Sequence, residues 1–385
     1  MAPITARLTR SIAGLALLVA GCSATSATSI HIGPSHLGTQ YEPGLTRALV
    51  VRWTATFPGP PSYALAADGR VFVTAPREGA AGTALHALDA ASGAARWTAD
   101  LGASPFAAAT LDGLRVVVAT GDGTLLALDA ATGAPRWQVA LGGEVSAPPT
   151  ALGGTVYVEV GDGAGAGTLQ ARSAATGALV WSRPVPGAGS TPAVAGDTVY
   201  VAYRCGVTHA LDRSTGAPRW STDPGCETGT ASTPVVDEAR GRLVVGDHET
   251  GSGRSVAVLS TTTGAVVRTF APGGTPAVAG DRLLVPNGTE LRSYDLATGA
   301  ERWAFTAAAP WSTAPVVVNG TVFAATETGV IHALRAEDGT ELPPGDVGAP
   351  VSATAGAGGA PVALSAAQGH LFVPTGDGRL VAYGN

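Results

Sequence analysis

The residues with the widest chemical reach in this 385-residue chain are few. Two of its three Cys, Cys205 and Cys226, lie in the body of the sequence. No His-Cys spacing around them matches a zinc motif, so they are a disulfide, a redox pair or a thiolate site. Asp247-His248-Glu249 groups an imidazole with two carboxylates, the types that metal sites and acid–base chemistry use. Consecutive strand residues alternate faces, so the three do not converge on one ion, and a polar loop is the expected context. Gly121-Asp122-Gly123 and Gly376-Asp377-Gly378 lack the further oxygen ligands of a calcium loop. Asp-Gly between apolar runs is a hairpin signal instead. Gly-x-Ser-x-Gly elbows, P-loops and His-Glu-x-x-His are missing from the sequence. The glycine-rich stretches 161–167 and 353–360 read as loop tips without chemistry.

Whatever chemistry these residues have must be positioned by a large apolar body. The chain is 45% hydrophobic and 14% charged, with 53 Gly and 27 Pro, which excludes disorder and favours a turn-rich fold. The formal charge is −6, and every basic residue is Arg. A phosphate-binding surface needs clustered positive charge, so nucleic acid is not an expected partner.

The N-terminal region reads as an export signal. Arg7 and Arg10 precede an apolar run, 12–20, that is too short for a stable bilayer span. The run ends Val19-Ala20-Gly21-Cys22, which resembles a bacterial lipobox. On that reading 1–21 is a lipoprotein signal peptide, and Cys22 becomes the first residue and carries the lipid. Residues 22–48, rich in Ser, Thr and Ala at their start, are expected to be a flexible, lipid-anchored tether. Two or three acyl chains hold a protein on a membrane far better than one.

The organisation of 49–385 follows from a repeat. Ala87-Leu-Asp-Ala-Ala-Ser-Gly-Ala-Ala-Arg-Trp97 returns ending at Trp137 and at Trp220, and in shorter form as Tyr294-Asp-Leu-Ala-Thr-Gly-Ala-Glu-Arg-Trp303. The copy ending at Trp181 has Ser173 in the Asp place, and two copies keep only the Gly, with Arg268 and Pro343 where Trp would stand. Trp53, Trp97, Trp137, Trp181 and Trp220 are spaced by 44, 40, 44 and 39 residues. A period near 40 is that of a four-stranded propeller blade. Each unit opens on a Pro-led apolar segment (Thr191-Pro192, Thr233-Pro234, Thr275-Pro276), where Pro costs no ladder bond. An alternating strand follows, then a tight turn, a third strand and the Asp-x-x-Thr-Gly turn into the Trp strand.

Third strands fall near Leu85, Leu125, Leu169, Thr208, Val256, Leu291, Ile331 and Leu380. The expected fold is therefore all-β: an eight-bladed propeller of four-stranded antiparallel blades. Trp53 has no turn before it and the strand at Leu380 has no fourth strand after it, so the ring is expected to close by pairing the two. In the recurring turn Asp89, Asp129, Asp212 and Asp295 can accept backbone N–H bonds, while Gly93, Gly133, Gly177, Gly216 and Gly299 supply positive φ. Trp97, Trp137, Trp181, Trp220 and Trp303 then pack on the neighbouring blade; Trp311 is the one Trp outside this pattern. Cys205 follows a second strand and Cys226 a fourth, and those loops leave a propeller on the same face. A disulfide between them is the expected state, stabilising by roughly 3 kcal/mol in the chain-entropy model.

The pattern Ala-x-Asp-x-x-Thr-Gly-x-x-x-Trp resembles the repeat of the quinoprotein-like, or PQQ-repeat, β-propellers, over roughly 49–383. One kind of member is the quinoprotein alcohol dehydrogenases, which hold the quinone on the axis under a vicinal Cys-Cys disulfide, with Glu, Asn and Asp around a calcium. The other kind is non-enzymatic lipoproteins, including the scaffold of the outer-membrane β-barrel assembly machinery. The sequence has no Cys-Cys pair, and the resemblance to the second kind implies a non-catalytic, cofactor-free, monomeric scaffold. Such a scaffold would be exported, lipid-anchored on the extracytoplasmic side of a membrane, and bound to protein partners of the envelope. The alternatives are a PQQ-dependent oxidoreductase and a propeller that binds a small ligand or glycan in its axial funnel.

Overall fold

The computed structural model describes residues 25–43, 45, 49–203, 206–224, 232–250, 253–346, 351 and 362–384. Cys22, Cys205, Cys226 and the 353–360 stretch lie outside the described residues. The chain forms eight antiparallel four-stranded sheets, seven of them from consecutive strands. Blade 1 runs Leu65–Ala67, Arg70–Pro76, Thr83–Asp89 and Ala95–Asp100, from the innermost strand outward. Blades 2 to 7 repeat that order. Their innermost strands are Ala107–Asp112, Thr150–Leu152, Ala193–Ala195, Val235–Asp237, Ala277–Ala279 and Val316–Val318. Pro192, Pro234 and Pro276 each stand one residue ahead of their strand, where no ladder donor is needed.

Blade 8 closes the ring. Its inner three strands, Ser365–Ala367, His370–Pro374 and Arg379–Gly384, come from the C-terminal end, and its outermost strand is Val50–Thr56. The register pairs Val51 with Tyr383, Trp53 with Ala382 and Thr54 with Val381. A sheet with this closure leaves no long open edge. Second strands such as Val116-Val117-Val118 are buried on both faces, because each blade is sandwiched between two others.

The turn between third and fourth strands does what its residues dictate. Asp89 Oδ1 accepts the backbone N–H of Ala91 at 3.1 Å and of Ser92 at 2.9 Å, and the carboxylate also meets Arg96. Asp129 repeats this with Ala131, Thr132 and Arg136. The Ser92 hydroxyl and Arg96 on Asp89, and Arg136 and the Thr132 hydroxyl on Asp129, are the main reasons that both carboxyls are held down at about 2. Gly93 and Gly133 take φ of +70° and +73°.

That Gly is also a docking place. A Cβ on Gly93 would lie 2.6 Å from the ring of Trp53, and one on Gly133 2.7 Å from the ring of Trp97. Each Trp thus lies flat on the bare turn of the next blade and reaches a carbonyl there. Trp53 Nε1 donates to Ala90 O at 2.9 Å, Trp137 Nε1 to Ala174 O at 3.0 Å and Trp303 Nε1 to Ala336 O at 3.0 Å. Trp97, Trp181 and Trp220 donate likewise to Ala130, Arg213 and Thr261. Behind Trp53, Trp97, Trp181 and Trp220 stands an aromatic of the same blade, as Phe72 does for Trp97 with centroids 5.8 Å apart.

Trp97→Ala is expected to cost about 3–5 kcal/mol, the range for emptying a large aromatic site. Gly133→Ala is expected to destabilise through both its φ and the Trp97 ring. Because one contact is shared, the double variant should lose clearly less than the sum of the two, read by chemical denaturation as a double-mutant cycle.

Candidate functional site

In a propeller the innermost strands surround an axial channel, and their outer-lying backbone N–H groups face it unpaired. A buried, unpaired N–H costs free energy comparable to a lost hydrogen bond. Here those donors are satisfied by the chain itself. Residues 25–42, read from the sequence as part of a flexible tether, run once around the inside of the ring. Ala27 exchanges two backbone bonds with Ala66 of blade 1 at 2.8 and 2.9 Å, and Thr28 O accepts from Leu111 of blade 2 at 2.9 Å. Pro34 O accepts from Val194, Ser35 O from Val236 and Leu37 O from Val278, at 2.7, 2.9 and 2.9 Å. Gly38 O accepts from Val317, and Thr39–Gln40 then pairs in parallel with the innermost strand of blade 7. The tether expectation is thereby corrected for the described residues: six blades bond to this segment through its carbonyls, and Ala27, Ile30, Ile32 and Leu45 are buried.

Two histidines sit inside this coil. His36 is fully buried, with Nδ1 3.1 Å from Pro234 O and Nε2 3.4 Å from Thr150 Oγ1. A neutral imidazole donates through the first nitrogen and accepts through the second. Burial pulls His31 down to about 4 and His36 to about 3, with His31 adding repulsion in the second case. The coil also contains Ile32 at φ +79°, an unusual conformation for a β-branched residue, held by Thr28 N–H donating to Ile32 O at 2.8 Å.

The coil ends where the Trp docking fails. Pro343 stands in the Trp place of blade 7, and the seam between blades 7 and 8 is bridged by buried Glu42 instead. Glu42 N–H donates to Asn319 Oδ1 on blade 7, and its Oε1 accepts Gly369 N–H on blade 8, both at 2.9 Å. Asn319 Nδ2 returns bonds to Glu42 O at 2.6 Å and Leu45 O at 3.0 Å.

The opposite end of the ring carries the loops between second and third strands and between blades. There Glu159 is buried between blades 3 and 4. Its Oε1 accepts the Tyr203 hydroxyl at 2.7 Å, and its Oε2 accepts Ser190 N–H at 2.8 Å. Desolvation pushes this carboxyl up to about 8 despite those bonds. Ser190 Oγ donates to Ser232 O at 3.0 Å, tying in blade 5. No sequence argument singled out Glu159; its signal is a lone acid in the β-branched run Val156-Tyr-Val-Glu-Val160. Asp247, His248 and Glu249 are not in a loop as expected: they extend the strand Arg242–Thr250, with His248 opposite Ser255 and Glu249 opposite Arg254. The Gly-Asp-Gly segments are hairpin turns in which Thr120 and Thr375 donate to Asp122 and Asp377, both at 2.5 Å. Trp311 lies at this end too, with its ring centroid 5.1 Å from that of His332.

Among the described residues no buried acid is left free for the calcium of a quinone. The carboxylates of the three buried acids among the described residues, Glu42, Glu159 and Asp237, are already bonded to Gly369 and Thr25, to Tyr203 and Ser190, and to Arg240. Among the described residues no group of three His, Cys, Asp or Glu could hold a metal ion. A cleft of about 570 Å³ between blades 8 and 1 is lined by Phe57, Arg77, His86, Thr98 and Asp100. Its charges are partly spent on each other, with Arg77 and Asp100 3.0 Å apart.

Together these features define a closed eight-bladed PQQ-type propeller whose axis is occupied at one end by its own N-terminal segment. The chain belongs to the PQQ-repeat family whose model is described as outer membrane protein assembly factor BamB; the model matches residues 80–184, 165–269 and 252–384. No curated protein sequence matches it. Among solved structures, BamB from Moraxella catarrhalis is 21% identical, with a TM-score of 0.66, over 88% of this chain and 100% of that one. A europium-containing methanol dehydrogenase is 13% identical with a TM-score of 0.73, over 94% of this chain and 98% of that one. The quinohemoprotein alcohol dehydrogenase from Comamonas testosteroni is 15% identical with a TM-score of 0.67, over 94% of this chain and 80% of that one. At these identities the likeness is one of fold, and fold alone does not choose between scaffold and enzyme.

The buried groups set a pH profile. Between about 6.5 and 4 the unfolded chain binds protons that buried His31 and His36 refuse, so their contribution falls with falling pH. Glu159 has the opposite sign: from about 4.5 to 8 the folded state keeps a proton that the unfolded state releases, so stability declines as pH rises through that window. Denaturation across pH should show a maximum near 6.5. Glu159→Gln should flatten the alkaline side, and His36→Gln should flatten the acid side.

Proposed function

We propose that this chain is an exported lipoprotein, acylated at Cys22, whose propeller is a non-catalytic scaffold for protein partners of the cell envelope. The observation that carries the reading is the axial coil. One end of the channel is filled by residues 25–42, which bond to six blades. The buried acids are bonded internally, which leaves recognition to the exposed loops that a rigid ring presents. The family's description as an assembly factor agrees with this, as does the lipobox-like Val19-Ala20-Gly21-Cys22. The propeller is expected to act as a monomer.

A disulfide between Cys205 and Cys226 belongs to the same proposal. Ala202 and Ser232 form an isolated bridge, with Ser232 N–H donating to Ala202 O at 3.1 Å, so the loops that contain the two Cys start and end side by side. An exported compartment favours the oxidised state.

The alternative, a quinone-dependent oxidoreductase, draws on the fold likeness to the dehydrogenases. A small ligand or glycan in the axial funnel is the remaining alternative, and the cleft beside His86 is a second place for one. Expression in a bacterium with lipoprotein processing should yield a mature chain with diacylglyceryl mass on Cys22, and Cys22→Ser should abolish it. Cross-linking on intact membranes should return an envelope protein that the Cys22→Ser form loses. A rise in melting temperature with PQQ and calcium, together with dye reduction, would establish the oxidoreductase in place of the scaffold.

A further inference from the structure

The two ends of the ring differ in what they expose. One end carries the turns between first and second and between third and fourth strands, which bond to each other: Ala90 N–H to Gly69 O, Ala130 N–H to Leu114 O, Ala174 N–H to Gly154 O. The large apolar side chains most exposed among the described residues all belong to this end. Leu114 is 73% exposed in a turn of blade 2, and Tyr41 is 74% exposed beside the Asn319 turn. Leu179, Val180, Val266 and Val267 start the outermost strands of blades 3 and 5, directly after their turns. The Val50–Val51 start of the blade 8 outer strand falls at the same level.

The N-terminal coil begins at that end. Gln368 N–H donates to Thr25 Oγ1 at 3.1 Å, and Gln368 Nε2 also reaches Thr25 O, so Thr25 is fixed on the first turn of blade 8. Three backbone steps separate Cys22 from Thr25. Fully extended they span about 10 Å. An anchor on Cys22 therefore has almost no slack, because the stretch that would have supplied it is wound inside the ring.

The acids at this end are largely paired. The acids of the recurring turn, Asp89, Asp129, Asp212 and Asp295, each pair with an Arg of the following strand, and Arg219 and Arg302 also pair with Asp197 and Asp281. Neutralised turns remove the repulsion that bare carboxylates would meet at anionic headgroups.

We propose that the turn end of the propeller lies flat against the phospholipid bilayer, its apolar rim in the headgroup region, so that the loop end faces away and is the surface offered to protein partners. The proposal rests on acylation of Cys22. The rim supplies orientation; the acyl chains supply retention.

The chain has no Lys, so a single introduced Lys gives a unique side-chain amine for a fluorophore. Ala91→Lys places it in an exposed turn of blade 1, and Glu327→Lys in a hairpin turn of blade 7 at the loop end. The acylated full chain is reconstituted in vesicles of phosphatidylethanolamine and phosphatidylglycerol containing nitroxide-labelled lipid. Quenching is expected to be several-fold stronger for the label at 91 than at 327. With diacylglyceryl mass present, equal quenching or stronger quenching at 327 overturns the face assignment alone. Protection of the label at 91 without vesicles, with a doubled mass in solution, assigns the turn end to a second copy and overturns it as well. A mature chain without the lipid mass overturns the anchor, and the face assignment with it.

Discussion

The packing of a Trp ring on a bare Gly turn sets the geometry of everything else in this molecule. A blade is a short, strongly twisted sheet that cannot bury both faces by itself. The Trp fixes its neighbour at one distance and one angle, because the ring needs the space that a Cβ would take and the indole N–H needs the carbonyl beyond it. Repeated around the ring, that contact makes angles accumulate to closure. Blade 5 tests the rule by breaking it: Arg268 lays its Cδ and the plane of its guanidinium on Gly299, and the guanidinium donates to Ala297 O at 3.0 Å, reproducing both halves of the Trp contact. At Pro343 neither half is possible, and the seam between blades 7 and 8 is held by Glu42 from a different part of the chain. The ring is thus closed twice, once by the zipped strands of blade 8 and once by the N-terminal segment at the seam beside it.

The repeat was legible because its residues act through side chains. Asp89 and Gly93 need their types to make a turn, Trp97 needs its ring to dock, and the period of their recurrence gives the blade. The closing pair of strands followed from the same counting, since one anchor lacked a turn and one strand lacked a partner. The axial coil was illegible for the converse reason. It binds through backbone carbonyls, which every residue owns, so its Ser, Thr, Gly and Pro composition reads like a linker. Its two cues, the Ile30-His-Ile32 cluster and the second buried His at 36, are too short to show periodicity. Asp247-His248-Glu249 misled in a related way: polar composition suggested a loop, whereas the long hairpin of blade 5 is set by pairing with its partner strand. Glu159 stood in plain view but is one residue, and its burial depends on a loop of the next blade.

The coil also bears on what kind of protein this is. A quinoprotein needs its axis, because only there do several blades converge on one ligand. Here the converging groups at the turn end are backbone N–H donors, and the chain has supplied its own acceptors to them. That arrangement satisfies donors that would otherwise stay unpaired at the inner edge of each blade. It also fixes an N-terminal segment that in another propeller could hang free. The ordering entropy of such a segment is considerable, of order 1–2 kcal/mol per residue. It is recovered through burial of Ile30, Ile32 and Leu45, the six-blade ladder of bonds and the Glu42 bridge.

One consequence joins the coil to the membrane. If the segment after a lipid anchor were loose, the propeller could turn any face to the bilayer, and the distribution of apolar residues around it would carry no meaning. With the proposed anchor at Cys22, winding that segment into the ring would shorten the leash to a few residues and bring the anchor out at a single turn, beside Gln368. A body held that closely would present one end to the lipid for most of the time. The apolar side chains found exposed at that end, and the neutralised turn acids among them, are what a surface in such a position requires. The loop end is free of that constraint. There long hairpins, the Glu159–Tyr203 pair and the Ser190–Ser232 tie between blades stiffen the surface from beneath, as a rigid recognition platform needs.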